Sequence, residues 1–156
     1  TMLARDWVGS DGFLMTYGDI LTESADYAAM SEKMRAPAVA SVAAVRWVDD
    51  PWQGAAVYVE GERITRIIEK PAPGTSTTHW NSAGVYTFRS TVFDEIARVP
   101  KSPRGEYELT TAVEQLVGSG ATLLIHAFEG VWRDVGRKSD IAAAEGMIAE
   151  GTNEKP

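Results

Sequence analysis

Short apolar runs alternate with amphipathic stretches along the chain. Gly12-Phe-Leu-Met-Thr-Tyr-Gly18 is an apolar run fenced by glycines, which predicts a buried strand ending at Gly18-Asp19. Thr22 or Ser24 can cap a helix that continues to about Arg35, where Pro37 stops it. Ala38 to Arg46, rich in Val, predicts a second buried strand. Val57–Glu60 and Arg63–Ile68 flank Gly61-Glu62 and predict a β-hairpin whose turn needs the positive φ that glycine supplies.

Residues 71–80 read as a loop by composition, and Ala83–Phe88 returns as a strand. Val92, Phe93 and Ile96 stand at helical spacing in a short helix opened by Ser90 or Thr91. Leu109, Val113, Leu116 and Val117 share one face of a second helix, ended by Gly118-Ser-Gly120. A strand over Ala121–Ala127 follows, and another begins at Val131-Trp132. Ile141, Ala144, Met147 and Ile148 make the stripe of a last helix, and residues 151–156 form a frayed polar tail. This alternation, with one hairpin inserted, predicts a layered α/β fold with a mixed central sheet. The chain reaches its first strand with no preceding βα unit, so the expected domain is either small or incomplete at its N-terminus.

Composition narrows the chemistry. The 156 residues carry 22 acidic and 15 basic side chains, a formal charge of -7, which argues against a nucleic-acid surface. A small phosphorylated ligand stays open, since a few local cations suffice to hold one. The absence of cysteine excludes disulfides, thiolate nucleophiles and Cys-based metal sites. The two histidines, His79 and His126, are too few and too distant for a histidine metal motif and are expected to be structural or solvated. No apolar run approaches the ~20 residues of a membrane span, and no signal sequence is visible, so the expected location is the cytoplasm.

Four places could carry chemistry. Asp19 follows a strand at its carboxyl end, where open α/β sheets bind ligands and a carboxylate suits a hard cation such as Mg²⁺; the alternative is a turn or capping aspartate. Asp134 stands at a second apparent strand end, with an ion pair to Arg133 or Arg137 as the alternative. Glu69 and Lys70 close the hairpin; side chains in a strand alternate, so the two diverge unless Pro71 bends the backbone. Arg104 lies just before a helix, where backbone donors favour an anion, or else it is simply exposed. No Walker loop, nucleophile elbow or G-x-G-x-x-G fingerprint is present.

The order of the blocks is more specific than any one of them. Leu14-Met-Thr-Tyr-Gly-Asp19, the hairpin from Gly54 to Ile67-Ile-Glu-Lys-Pro71, Asn81-Ser-Ala-Gly-Val-Tyr86, Arg104-Gly-Glu-Tyr-Glu-Leu-Thr110 and Trp132-Arg-Asp-Val-Gly136 follow one another. This succession closely resembles the sugar-phosphate nucleotidylyltransferases, from about Gly12 to Met147. The resemblance implies a Rossmann-like α/β fold and transfer of a nucleotidyl group from an NTP to a sugar 1-phosphate, giving an NDP-sugar and pyrophosphate with Mg²⁺ as cofactor. It implies that Asp19 and Asp134 hold the metal, and that Lys70 and Arg104 act on the sugar phosphate. Glu69, Asn81 and the Gly54 backbone would meet sugar hydroxyls, with Gly84 allowing close approach.

The family's opening G-x-G-T-R-x-x-P loop has no counterpart here, and Thr110-Thr111 stands where the family commonly has Thr-Asp. Residues 1–150 are therefore expected to be the C-terminal part of a nucleotidyltransferase catalytic domain. Expected partners are the sugar 1-phosphate and the NTP, with neither nucleic acid nor membrane; a second copy or a complementing N-terminal half is left open. The alternative function is a non-catalytic sugar-nucleotide-binding or regulatory module of the same fold. A glycosyltransferase is disfavoured, because Asp49-Asp50 is adjacent rather than a spaced D-x-D pair.

Overall fold

The computed structural model describes residues 1–153, with side chains described as far as Ile148. A 3₁₀ turn at Met2–Ala4 and the short helix α1 (Arg5–Val8) precede the first strand. Eight strands follow: β1 (Gly12–Thr16), β2 (Ile20–Thr22), β3 (Val39–Trp47), β4 (Ala55–Glu60), β5 (Arg63–Glu69), β6 (Trp80–Arg89), β7 (Thr122–Ala127) and β8 (Trp132–Asp134). They are interleaved with helices α2 (Ser24–Lys33), α3 (Val92–Arg98), α4 (Leu109–Gly118) and α5 (Lys138–Asn153).

Six strands form one mixed sheet in the order β1-β6-β3-β7-β5-β4, in which β3 and β7 run parallel and the other pairs antiparallel. β2 and β8 form a separate two-stranded ribbon. β3 is buried along both faces because it lies at the centre, and its side chains split between two cores. Ala43 and Val45 join Phe88, Phe93, Val113 and Leu123 on one side; Val42 and Ala44 join Met30, Val85 and Phe128 on the other. Helices on both faces complete the layered α/β architecture. Among the described residues no helix is long and apolar enough to cross a membrane.

Several expectations need correction. The run from Gly12 to Gly18 is not a buried strand: β1 lies at the sheet edge and alternates exposed and half-buried positions. Thr22 does not cap α2 but belongs to β2, where its hydroxyl lies within hydrogen-bond distance of the Asp26 carboxylate and the Val131 carbonyl oxygen. The N-cap is Glu23, without a side-chain cap bond. β6 begins at Trp80, inside the stretch read as loop. The last helix reaches Asn153, into the segment assigned to a polar tail, and residues 154–156 lie outside those described.

The irregularity that shapes the site lies in β6. Its register against β3 passes from Ala43↔Tyr86 to Val45↔Ser82, so the backbone bulges at residues 83–85. Gly84 makes this possible with φ +77°, a conformation that costs a side-chain-bearing residue roughly 1–2 kcal/mol. The bulge turns Asn81 and Ser82 toward the end of the β4–β5 hairpin.

Candidate active site

A cavity of ≈ 570 Å³ opens between the base of the hairpin, the β6 bulge and the β2–β8 ribbon. Of the residues singled out from sequence, Gly54, Glu69, Lys70, Asn81, Gly84 and Asp134 all line it. Asp19 and Arg104 do not.

Glu69 and Lys70 face the same space although they are neighbours in sequence. Lys70 has φ +43°, the only non-glycine positive φ among the described residues, and its N–H donates to the Gly54 carbonyl at 2.7 Å. The backbone turn therefore sits at Lys70 itself rather than at Pro71. Left-handed backbone on a lysine costs on the order of 1 kcal/mol, and such strain gathers at functional sites. The Lys70 ammonium is exposed and makes no ion pair or hydrogen bond with the described residues. Glu69, by contrast, is held from two sides. Thr110 Oγ1 donates to its Oε2 at 3.0 Å, and Arg104 Nη2 lies 3.3 Å from its Oε1.

Arg104 stands behind Glu69 rather than in the cavity. Its guanidinium is shared among three carboxylates, Glu69, Glu108 at 3.0 Å and Glu106 at 3.7 Å. In this arrangement it orients Glu69 and does not line the cavity.

Asn81 is fixed by a donor bond from Nδ2 to its neighbour's carbonyl, while its buried Oδ1 has no partner among the described residues. A buried acceptor without a donor is costly, and this one lies in the cavity wall against Gly54. Gly54 packs directly against this amide: a Cβ there would have the amide carbon, oxygen and nitrogen of Asn81 all within 2.9 Å. Gly84 is equally confined, with the Tyr17 ring 2.9 Å and Ile20 3.1 Å from where its Cβ would stand.

Asp19 and Asp134 come together although 115 residues separate them in sequence. The β2–β8 ribbon pairs Ile20 with Asp134, and the Val135 N–H donates to the Asp19 carbonyl at 2.8 Å. A single point, the place of an absent Gly136 Cβ, lies 3.0 Å from Asp134 Oδ1 and 3.9 Å from Asp19 Oδ2. Asp134 is not paired with Arg133, which reaches Asp140 instead at 3.8 Å. Among the described residues no group of three or more acidic or histidine side chains could hold a metal. Two carboxylates nevertheless fit Mg²⁺, which commonly binds one or two and completes its shell with water and substrate phosphates.

Tyr17, Asp50, Gln53, Ser82, Thr110 and Trp132 also line the cavity, and sequence reasoning gave none of them a role in the site. Tyr17 and Trp132 each stand two residues from an aspartate it had selected, the one signal that could have found them. Burial, then the charges of Glu69 and Asp19, raise the Tyr17 phenol pKa. The wholly buried Tyr86 is pushed up further, chiefly by burial, while its hydroxyl pairs with Ser82. Trp132 is fixed by its indole N–H donating to the Ala83 carbonyl at 2.9 Å, with the Arg46 guanidinium 5.5 Å from its ring centre. The histidines are structural: His79 bonds loop carbonyls and stacks on Trp47, and His126 bonds Asp26 at 2.9 Å.

Known proteins resemble the chain in sequence and in fold. The nucleotidyl transferase family profile matches residues 2–151. The chain is 34% identical over 149 residues to the low-salt glycan biosynthesis nucleotidyltransferase Agl11 of Haloferax volcanii, covering 94% of this chain and 41% of that protein. It is 27% identical over 151 residues to a glucose-1-phosphate thymidylyltransferase of Streptomyces griseus, covering 97% and 42%. Its fold is also that of a UDP-glucose pyrophosphorylase solved with UDP-glucose, with TM-score 0.82 at 15% identity over 96% of this chain and 60% of that one. The chain thus spans about two-fifths of the length of these two curated relatives. With a family match along nearly its whole length and this fold beneath it, the chain belongs to the nucleotidyl transferase family.

Proposed function

We propose that this chain forms the sugar 1-phosphate side of a nucleotidyl-transfer site, in which an NTP and a sugar 1-phosphate give an NDP-sugar and pyrophosphate. The observation that carries the reading is one cavity lined by the free Lys70 ammonium, the anchored Glu69, Asn81 and Asp134, with Asp19 beside Asp134 in the adjoining recess. A polyol that carries one anionic group suits Lys70, Glu69 and Asn81, and a divalent cation would be needed between its charge and that of the two aspartates.

Lys70 neutralises the phosphate as a point charge, and its turn conformation keeps it on the Glu69 side of the cavity. Glu69, with both oxygens anchored by Thr110 and Arg104, accepts from sugar hydroxyls, as does Asn81 Oδ1. Asp19 and Asp134 would hold Mg²⁺, whose charge would offset that of the assembled phosphates. A sugar-phosphate oxygen attacks the NTP α-phosphorus, the bond to the bridging oxygen breaks, and pyrophosphate leaves. The protein's contribution is positioning and charge stabilisation. The names of the relatives support the substrate classes; the sugar and base are chosen by experiment.

The test is calorimetric titration of the purified chain with glucose 1-phosphate, mannose 1-phosphate and glucose 6-phosphate in the presence of Mg²⁺. Saturable binding of a hexose 1-phosphate, weakened at least about tenfold in Lys70→Ala, is expected for loss of a charge-assisted contact. Indifference to Lys70, or equal binding of every phosphate, overturns the reading.

A further inference from the structure

We infer that Tyr17 donates a hydrogen bond from its phenol to the phosphate of the bound sugar 1-phosphate, sharing that anion with Lys70. The inference rests on the functional reading above and adds a specific recognition residue to it.

Tyr17 occupies the boundary of the site. It lines the cavity that contains Glu69, Lys70 and Asn81, and it also lines a second, shallower recess that contains Asp19; it is the residue the two share. A sugar 1-phosphate seated with its ring in the first cavity and its phosphate toward the carboxylate pair has its ester linkage passing this boundary.

The side chain is also preorganised. The Tyr17 N–H donates to the Gly84 carbonyl at 3.0 Å, and its own carbonyl accepts from the Ile20 N–H at 3.4 Å, closing the turn that presents Asp19. Its ring lies against Gly84, where no side chain intervenes, so a change at either residue is felt by the other. An aromatic ring with only two side-chain torsions loses little freedom when it receives a ligand.

The hydroxyl itself is unused. It makes no hydrogen bond to the described residues although Glu69 and Asp19 both act electrostatically on it, and the residue is 46% exposed. A phenol that leaves two nearby carboxylates unengaged has its proton available for a ligand oxygen. Its placement at the junction of a cavity that Lys70 lines and the recess that holds Asp19 favours the phosphate over a sugar hydroxyl deeper in the cavity.

The experiment compares wild type with Tyr17→Phe, which keeps the ring on Gly84 and removes only the oxygen. Each is titrated with glucose 1-phosphate and with methyl glucoside, which carries no phosphate, and each is melted to establish that folding is unchanged. Tyr17→Phe is expected to weaken glucose 1-phosphate roughly tenfold, the range for a hydrogen bond to a charged group, and to leave methyl glucoside within about twofold. Equal weakening of both ligands means the hydroxyl reads the sugar, and no weakening of either means it contacts neither; both overturn the inference while leaving the functional reading intact. A wild-type chain that binds no glucose 1-phosphate removes the reading and the inference together. Should Tyr17→Phe melt lower than wild type, Tyr17→His supplies a second ring with a donor, and its failure to restore the preference for the phosphorylated ligand counts against the inference.

Discussion

Gly84→Ala tests whether the β6 bulge shapes the site through close approach or merely through backbone freedom. Two costs can be separated. The first is the positive φ of +77°, worth about 1–2 kcal/mol for any residue with a Cβ. The second is steric: the new methyl would stand 2.9 Å from the Tyr17 ring and 3.1 and 3.2 Å from two Ile20 carbons. Overpacking of that kind costs about 1–3 kcal/mol, the lower end applying here because the Tyr17 ring can retreat toward solvent. Gly120, just past α4, supplies the control, since its φ of +84° is similar and nothing lies within 4 Å of its Cβ position. Urea denaturation at constant m-value should show Gly120→Ala about 1 kcal/mol less stable than wild type and Gly84→Ala about 2–4 kcal/mol less stable. Combining Gly84→Ala with Tyr17→Leu should return part of the steric share and none of the backbone share. If Gly84→Ala proves no worse than Gly120→Ala, the close contact between the bulge and Tyr17 is wrong, and with it the account of how the cavity wall is held.

Other consequences are as direct. Lys70→Gly should raise unfolding free energy by about 1 kcal/mol, because glycine accepts φ +43° freely, whereas Lys70→Ala should gain nothing; equal stabilities for the two variants would show that Lys70 is not strained. A double-mutant cycle of Arg104→Ala and Glu69→Gln should give a coupling of about 0.5–1 kcal/mol, modest because the Arg104 side chain is 37% exposed, and strict additivity would deny Arg104 its hold on Glu69. Mg²⁺ should raise the melting temperature of wild type above that with glucose 1-phosphate alone but add nothing in Asp19→Asn or Asp134→Asn, and an undiminished Mg²⁺ increment in both variants would remove the metal assignment. Tyr86 titrates well above the ordinary tyrosine value of 10.0 because it is buried, so the unfolded chain loses that proton first. The stability it contributes is complete below that value and is lost as pH climbs toward the folded one, so the urea midpoint should fall between about pH 9 and 11 and fall less in Tyr86→Phe.

What the sequence made legible was local or ordered. The Gly61 turn announced the hairpin, whose strands pair Glu60 with Arg63 and Ala55 with Glu69 as a two-residue loop requires. The stripe of Leu109, Val113, Leu116 and Val117 announced α4 for the same reason, since helical spacing repeats within a few residues. The β2–β8 ribbon could not be seen. Each strand has three residues, too few to show a period, and their partners lie more than a hundred positions apart. Asp19 and Asp134 were therefore selectable one at a time, while their meeting around Gly136 is a property of the folded chain. The edge position of β1 was hidden likewise, because an apolar run bounded by glycines looks the same at the centre of a sheet and at its margin.

Several departures from local rules meet at or beside this cavity. A lysine sits in left-handed backbone, a strand is broken by a bulge, a buried amide oxygen lacks a donor, and two carboxylates face one point without a cation beside them. Each is costly on its own, and departures of this kind are expected where a site is built. The ligand proposed here relieves them together: an anion meets Lys70, hydroxyls meet Asn81 and the anchored Glu69, and a divalent cation meets Asp19 and Asp134. A ligand without the anion would leave the lysine's strained turn unexplained, and one without hydroxyls would leave Asn81 Oδ1 unpaired. That mutual requirement ties the strained backbone of one hairpin residue to a specific chemistry, and makes a phosphorylated sugar a narrower conclusion than any of these residues supports alone.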